Sequence, residues 1–281
     1  MIKTNCELPV GLFDKNIELN DFDFILYHLL NNKKYKEYYS NLPKDRMTIL
    51  DTSAYEFYIK KKKFKAEDYI QAIKTLKPNF FLLPDTLMRM EKTIEDSVDF
   101  HRRYSPEIYT STGRKSLPMG VLQGNSPEEL IKCIKLYRMQ CIYDVAVPFH
   151  NSFYKEIKTD KDIREKFLKF HGGGSASEDM KYAMGRVQFL RQNAESFKYA
   201  NHIHILGSHD PYEKVFYDKI FPGKELTMDT GYPVKIAITG WELGKTKNKP
   251  DIILDEFLEE PIDPSVEELI LNNIRIFKSL K

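Results

Sequence analysis

Cysteine is scarce in this chain, and its few copies are too widely spaced to form a metal-binding or redox motif. Cys6, Cys133 and Cys141 include no CxxC pair, and their number is odd. Isolated thiols of this kind are typical of proteins that keep cysteine reduced, and they form no recognisable structural zinc site. We therefore expect a protein of a reducing compartment that carries no metal.

Long apolar runs are also lacking. No stretch reaches the ~18 consecutive apolar residues that a membrane-spanning helix requires. The N-terminus has no basic segment followed by an apolar core, so the sequence predicts no secretory leader. Together with the cysteine pattern, these absences predict a cytoplasmic protein with no membrane partner.

The chain has almost no excess of positive or negative charge. Its formal net charge is only +2 at pH 7. A polyanion responds to local charge rather than to the total, so this value does not by itself predict a nucleic-acid partner. Basic stretches do occur, namely "IKKKKFK" at 59–65, "HRRY" at 101–104 and "GKTKNK" at 244–249. Each is more often a solvated surface than a phosphate site, so their significance depends on whether they share a face.

Short apolar stretches alternate with longer amphipathic ones, which is the pattern of βα units. Strand candidates lie within residues 22–30, 48–52, 79–85, 117–124, 141–149, 202–211 and 225–233. The chain has 281 residues, no internal repeat and no break in composition. These roughly five or six βα units therefore predict a single α/β domain over residues 1–281, a (β/α)8 TIM-type barrel.

Amphipathic stretches between the strand candidates predict helices, at 64–77, 86–104, 128–139, 183–197, 212–221 and 265–280. Ser126 and Pro127 suit the N-cap and the first turn of the third of these helices. The least regular stretch, 150–181, contains "HGGGSASED" and is interpreted as a mobile loop. A phosphate cradle would need a preceding strand and a particular glycine spacing, and neither is evident.

Polar residues follow the predicted strands at their carboxyl ends. They are Asp51, Asp85, Gln123 and Asp229. In a parallel barrel the active site lies at this edge of the strands, so we expect these side chains to line one mouth. Gly124 and Gly207 occupy similar positions and would allow a ligand to approach the backbone closely.

The order of these motifs resembles that of the tRNA-guanine transglycosylase superfamily, in particular its compact phage branch, which is thought to exchange guanine in DNA for a 7-deazaguanine. The motifs are "ILYHLL", "ILDTSAYE", "LLPD", "VLQG", "DVAVPF", "HILGSHDP" and "TMDTGYP", over about residues 22 to 233. Each motif is weak alone, whereas their order and spacing together are more specific. The resemblance implies a barrel enzyme that needs no cofactor.

The resemblance also implies which residues carry the reaction. The family's Asp-Ser-Gly-Gly-Phe-Gln box matches residues 51–56 and makes Asp51 the general acid/base, while Asp229 matches the nucleophile. A carboxylate that attacks C1′ can hold the sugar while one base leaves and another enters. A second carboxyl can protonate the departing base and deprotonate the incoming one.

Five further positions match residues that hold the base in this family. Tyr55 matches the residue that stacks on one face of the base, and Leu206 the apolar side chain against the other face. Asp85 matches the acid that reads the guanine edge, and Gln123 with Gly124 matches the Val-Gln-Gly element. An acceptor-only carboxylate beside a bifunctional amide suits the amide and amine edge of a guanine-like ring.

Two departures from the family pattern affect the expected partners. Relatives that act on tRNA carry a Cys-rich zinc-binding module after the nucleophile, and this chain lacks one. We therefore expect DNA as the polynucleotide, with a flipped or single-stranded target guanine, and a free 7-deazaguanine base as second substrate. In "DVAVPF", Asp144 and Phe149 stand where relatives have a glycine pair and a later Glu, so the identity of the incoming base stays open.

Three other interpretations remain. One is a tRNA-guanine transglycosylase. Another is a metal-dependent barrel hydrolase, since "HIH" at 202–204 puts two imidazoles on one side of a strand, although histidines of the core or surface are commoner. The third is a non-catalytic nucleic-acid-binding barrel that uses the basic stretches and the tyrosines. Asp51 and Asp229 count against it, because both would repel phosphate.

Overall fold

Parallel strands and helices alternate along the chain. The computed structural model describes residues 1–149, 151–208, 210–245 and 262–281. Among these residues, eight strands form one sheet with the order β1-β8-β7-β6-β5-β4-β3-β2. They are β1 Lys3–Cys6, β2 Asp23–Leu26, β3 Thr48–Asp51, β4 Phe80–Leu82, β5 Leu117–Val121, β6 Asp144–Val147, β7 His202–Ile205 and β8 Glu225–Thr230. The fold is a (β/α)8 TIM-type barrel, as the sequence predicts.

Helices follow most of the strands. They are α1 Asn16–Leu19, α2 Lys33–Ser40, α3 Ala54–Ile59, α4 Ala66–Leu76, α5 Met90–Thr112, α6 Pro127–Met139, α7 Lys161–Phe170, α8 Glu178–Gln192, α9 Lys214–Ile220, α10 Tyr232–Ile238 and α11 Pro264–Ser279. The predicted start of α6 is confirmed, since Pro127 opens the helix and the Ser126 hydroxyl accepts a 3.3 Å hydrogen bond from the Glu129 amide. None of the helices in the described ranges is long and apolar enough to cross a bilayer.

The backbone contacts divide the chain into two compact units. Unit 2 consists of residues 22–147 and 199–203. In it β2 to β6 pair in chain order, all in parallel, and the register places Leu26 opposite Asp51. Both β2 and β6 are buried at every position. Continuous burial of this kind is expected of parallel strands that are covered on both faces.

Unit 1 consists of residues 1–21, 148–198 and 204–281. Its strand pair is β1 with β8, in parallel, and the register places Lys3 opposite Thr227. All of β8 except its first residue is buried. Asp229, the next-to-last residue of β8, therefore lies on a buried part of the strand.

Strand β1 is missing from the prediction. Its sequence is "KTNC", and three of its four residues are buried although two of them are polar. Side chains of the following segment satisfy its backbone, since Asp21 accepts from the Thr4 amide at 2.8 Å and Asn20 from the Cys6 amide at 2.7 Å. A strand that buries polar residues gives no apolar alternation to detect.

The stretch 150–181 is more regular than predicted. It contains helix α7, which is followed by Gly172, Gly173 and Gly174 with φ values of 73°, 84° and 88°. These angles explain the glycine run, because other residues adopt them at a cost. Of the basic stretch 244–249, residues 246–249 lie outside the described residues.

Candidate active-site residues

The end of β3 holds Asp51 through a sharp turn into α3. Asp51 is the last residue of the strand and is half-buried. Its Oδ2 accepts a 3.0 Å hydrogen bond from the Ser53 amide, and the Ser53 hydroxyl accepts one of 3.2 Å from the His28 amide. Ser53 adopts a left-handed conformation, with φ 59° and ψ 37°, and α3 begins immediately after it. Tyr55 in α3 is 48% exposed, which leaves its ring accessible.

Asp85 and Gln123 form a direct pair at the ends of β4 and β5. Gln123 Nε2 donates a 2.7 Å hydrogen bond to Asp85 Oδ2, and the Thr52 hydroxyl donates a 3.4 Å bond to Oδ1. Gln123 Oε1 accepts a 2.9 Å bond from the Met88 amide, which fixes the orientation of the amide group. Gln123 and Thr52 are each only 1% exposed. The predicted base-reading residues Asp85 and Gln123 are therefore brought together.

Burial raises the pKa of the Asp85 carboxyl from 3.8 to about 6, although the hydrogen bonds from Gln123 and Thr52 act in the opposite direction. The carboxyl is therefore poised to change protonation near neutral pH. Strongly perturbed acids in clefts are candidates for functional groups.

Tyr69 connects the ends of β3 and β4. Its hydroxyl lies 3.0 Å from the Leu50 carbonyl and 2.9 Å from the Leu82 carbonyl. Burial raises its pKa well above the usual value, and the negative charges of Asp51 and Asp85 raise it further. Both acids therefore lie within electrostatic range of one buried hydroxyl.

A cleft of about 500 Å³ opens beside Asp85. We call it the Asp85 cleft and define it by Thr52, Phe57, Tyr58, Asp85, Phe100 and Arg103. Its lining combines aromatic rings with charged side chains of both signs, including Lys62 and Asp99.

Gly124 has a packing role. A Cβ at this position would lie 2.6 Å from Glu129 Cβ, in the first turn of α6. The close approach of α6 to the end of β5 therefore requires glycine here independently of any ligand.

In unit 1, Asp229 is the next-to-last residue of β8 and is 3% exposed. Its Oδ1 accepts a 2.9 Å hydrogen bond from the Gly207 amide and lies 3.1 Å from His204 Nε2. His204 Nδ1 lies 2.8 Å from the Thr227 hydroxyl. Within the described part of the chain, Asp229 Oδ2 has no hydrogen-bond partner. One oxygen of the carboxylate is thus held by the Gly207 amide beside His204.

The loop that follows β7 is held by a buried ion pair. Arg186 donates 2.7 Å hydrogen bonds to the carbonyls of Leu206 and Gly207. The same guanidinium makes two bonds to Glu213, and both side chains of the pair are fully buried. Glu213 also accepts a 2.7 Å bond from the Ser208 hydroxyl. This network fixes Leu206 and the Gly207 amide, the group that binds Asp229.

The two histidines of "HIH" have different surroundings. His204 faces Thr227 and Asp229, whereas His202 packs edge-on against Phe80 with ring centroids 4.6 Å apart. In the ranges that the structure describes, no group of three His, Cys, Asp or Glu side chains is arranged to hold a metal ion.

Asp144 and Phe149 lie at opposite ends of β6. Asp144 is the first residue of β6, so it lies at the amino end of its strand, whereas Asp51 ends β3. Phe149 is buried, with the Arg186 guanidinium 4.9 Å from its ring centroid.

Sequence reasoning missed the roles of His204, Thr52 and Arg186. The sequence does contain a signal for the role of His204. Thr227 and Asp229 are two residues apart on a strand, so their side chains share a face that a neighbouring strand can meet. The residue type of Arg186 does not indicate burial, because a charged side chain in a helix is normally solvated.

Neither a scan of the sequence against protein-family models nor a search of curated proteins returned a match. The chemical interpretation therefore rests on the geometry around Asp85 and around Asp229, and on the resemblance of the motifs.

Proposed function

We propose that this protein is a base-exchange transglycosylase, a pentosyltransferase that replaces guanine in DNA with a free 7-deazaguanine. The observation that carries the proposal is the environment of Asp229. Its Oδ1 is bound by the Gly207 amide beside His204, while Oδ2 has no partner among the described residues. A carboxylate that is held through one oxygen keeps the other directed for attack on carbon.

In the proposed reaction, Asp229 Oδ2 attacks C1′ of the target deoxyribose. The bond from C1′ to guanine breaks, its electron pair leaves with the base, and the base takes a proton from Asp51. The sugar is then an ester of Asp229. Asp51 next accepts the N–H proton of the incoming 7-deazaguanine, whose nitrogen attacks C1′ and releases the Asp229 carboxylate. The exchange needs no redox cofactor because it involves no net oxidation.

The Asp85–Gln123 pair supports guanine as the base. Ionised Asp85 can accept from the ring N–H and the exocyclic amine, and the second hydrogen of Gln123 Nε2 can donate to the ring carbonyl. With a pKa of about 6, Asp85 is mostly ionised at pH 7.5. We assign Tyr55 and Leu206 to the two faces of the base, and Gly124 to the backbone beside Gln123.

DNA is the proposed polynucleotide, with the target guanine flipped out of its stack or already single-stranded. Labelled guanine supplied with the protein and either DNA or unmodified tRNA tests this choice directly. We expect label in DNA only. Exclusive labelling of tRNA would show that the partner is tRNA, and activity that disappears on chelation and returns with metal would favour the hydrolase interpretation.

Asp229→Asn is the decisive variant, because it keeps the shape of the side chain and removes the nucleophile. We expect exchange to fall by roughly 10⁴-fold while binding to DNA survives. Asp218→Asn, at an exposed acid of α9, is the matched control. Denaturation during turnover should trap a protein–DNA adduct on the peptide containing Asp229, and an adduct on another acid would refute the assignment.

A further inference from the structure

Helix α3 exposes an unusual amount of apolar surface for its length. It has six residues and none of them is buried. Tyr58 is 71% exposed and Ile59 47%. Clustered exposed aromatic and aliphatic side chains are characteristic of binding surfaces.

Lysines follow this surface directly. Lys60, Lys61, Lys62, Lys63 and Lys65 lie between α3 and α4, and all five are exposed. Lys65 is 4.0 Å from Asp68, whereas Lys62 and Lys63 form no side-chain ion pair with any described residue. The charge of these two side chains is therefore available to a ligand.

The lysines line a second cleft, of about 560 Å³. We call it the lysine cleft and define it by Tyr27, Lys36, Phe57, Lys62, Lys63 and Lys65. The rings of Tyr27 and Phe57 meet edge-on with centroids 5.8 Å apart. Phe57 and Lys62 also line the Asp85 cleft, so the two clefts adjoin each other.

We infer that the lysine cleft and the exposed face of α3 bind a single-stranded stretch of DNA next to the target nucleotide. Lys62, Lys63 and Lys65 would contact phosphates, and Tyr58 would stack on a neighbouring base. Aromatic rings interleaved with cations fit this ligand better than an acidic peptide, because each base offers a ring face and each linkage a charge. A strand whose guanine occupies the Asp85 cleft continues into the adjoining lysine cleft. This inference rests on the proposed function for the choice of DNA.

The test uses the full chain and a fluorescent single-stranded 12-mer of DNA, with anisotropy measured over a range of KCl concentrations. Lys62→Ala combined with Lys63→Ala should weaken binding by about tenfold or more at low salt. The slope of log Kd against log salt should fall in magnitude by about 1.4, because each phosphate contact on a single strand contributes about 0.7. Tyr58→Ala should weaken binding by about tenfold at every salt concentration, whereas Tyr58→Phe should retain affinity.

The matched control is Lys132→Ala with Lys135→Ala, which removes the same charge from two exposed positions of α6. If the Lys62/Lys63 variant behaves like this control, the inference is wrong. Lysine-dependent binding to vesicles of anionic lipid, without binding to the 12-mer, would also overturn it.

Base exchange measured in parallel separates this inference from the proposed function. Lysine-dependent binding without any exchange would support the surface and refute the transglycosylase. If the Lys62/Lys63 variant exchanges bases in a single-stranded substrate with an unchanged KM, the transglycosylase is supported and the DNA-binding role of the lysine cleft is refuted.

Discussion

Gln123 donates a 2.7 Å hydrogen bond to Asp85, and yet the pKa of Asp85 is raised from 3.8 to about 6. Burial thus outweighs the stabilisation of the charged form by its partners. The folded protein is therefore penalised for ionising this carboxyl, and the unfolded chain is not.

Asp85→Asn should consequently stabilise the fold at pH 7.5. The folded state binds the Asp85 proton more tightly than the unfolded chain does. The free energy of unfolding of the wild type therefore includes this contribution in full below pH 4 and loses it as the pH rises through about 6. A shift of about 2 units corresponds to at most ~3 kcal/mol. Urea unfolding at pH 4 and pH 7.5 should show the gain at the higher pH only, while exchange is abolished. The exposed Asp45→Asn control should show no such difference, and an equal effect at both pH values would contradict the prediction.

His204 is expected to hold Asp229 in place for attack. His204→Ala removes a group 3.1 Å from Asp229 Oδ1, and kcat should fall by about 10- to 100-fold with little change in KM. Thr227→Val, which removes the hydroxyl beside His204 Nδ1, should have a smaller effect in the same direction. His202→Ala is the control on the same strand. It should lower stability through lost packing against Phe80, and a kcat loss equal to that of His204→Ala would argue against positioning.

Ser53 should be replaced more easily by glycine than by alanine. Its φ of 59° costs about 1 kcal/mol for a residue with a Cβ, and glycine removes that cost. Both changes remove the acceptor of the His28 amide. Ser53→Ala should therefore be less stable than wild type, whereas in Ser53→Gly the relief of backbone strain should offset much of that loss. We expect Ser53→Gly to be more stable than Ser53→Ala by about 1 kcal/mol in thermal or urea unfolding. The reverse order would show that the turn is not left-handed in solution.

The Arg186–Glu213 pair should behave as one unit. Arg186→Met or Glu213→Met alone leaves a buried partner uncompensated and should cost about 3–5 kcal/mol. Arg186→Met combined with Glu213→Met should cost less than the sum of the single changes. Exchange should remain impaired in the double variant, because the carbonyls of Leu206 and Gly207 lose their donor. Additive losses in a double-mutant cycle would refute this coupling.

The sequence predicts the ends of the strands better than the groups that hold them. Asp51 and Asp229 could be placed because an apolar strand that stops at an acid leaves that acid at a strand end. Asp85 and Gln123 could be placed near each other because parallel strands share a direction. The prediction reached the residues at strand ends, since each short apolar run stops where a polar residue begins.

Contacts between buried polar side chains could not be predicted from the pattern of apolar runs. Arg186 belongs to a helix of low amphipathicity with most of its residues buried, and its partner lies 27 positions away. Strand β1 buries Thr4 and Asn5, which local hydrophobicity assigns to the surface. Such residues are specified by tertiary partners, and no local period encodes those partners.

The pairing of β1 with β8 sets an order on folding. Lys3 is aligned with Thr227, so this pair closes a loop that contains most of the chain. Strands β2 to β6 pair with their neighbours in sequence and lose less entropy when they associate. During synthesis at about 5–20 residues per second, Gln123 emerges roughly 5 to 20 seconds before Asp229. For that interval we expect a nascent chain that already holds the Asp85–Gln123 pair, and could recognise a base, before it has the carboxylate that would act on the sugar.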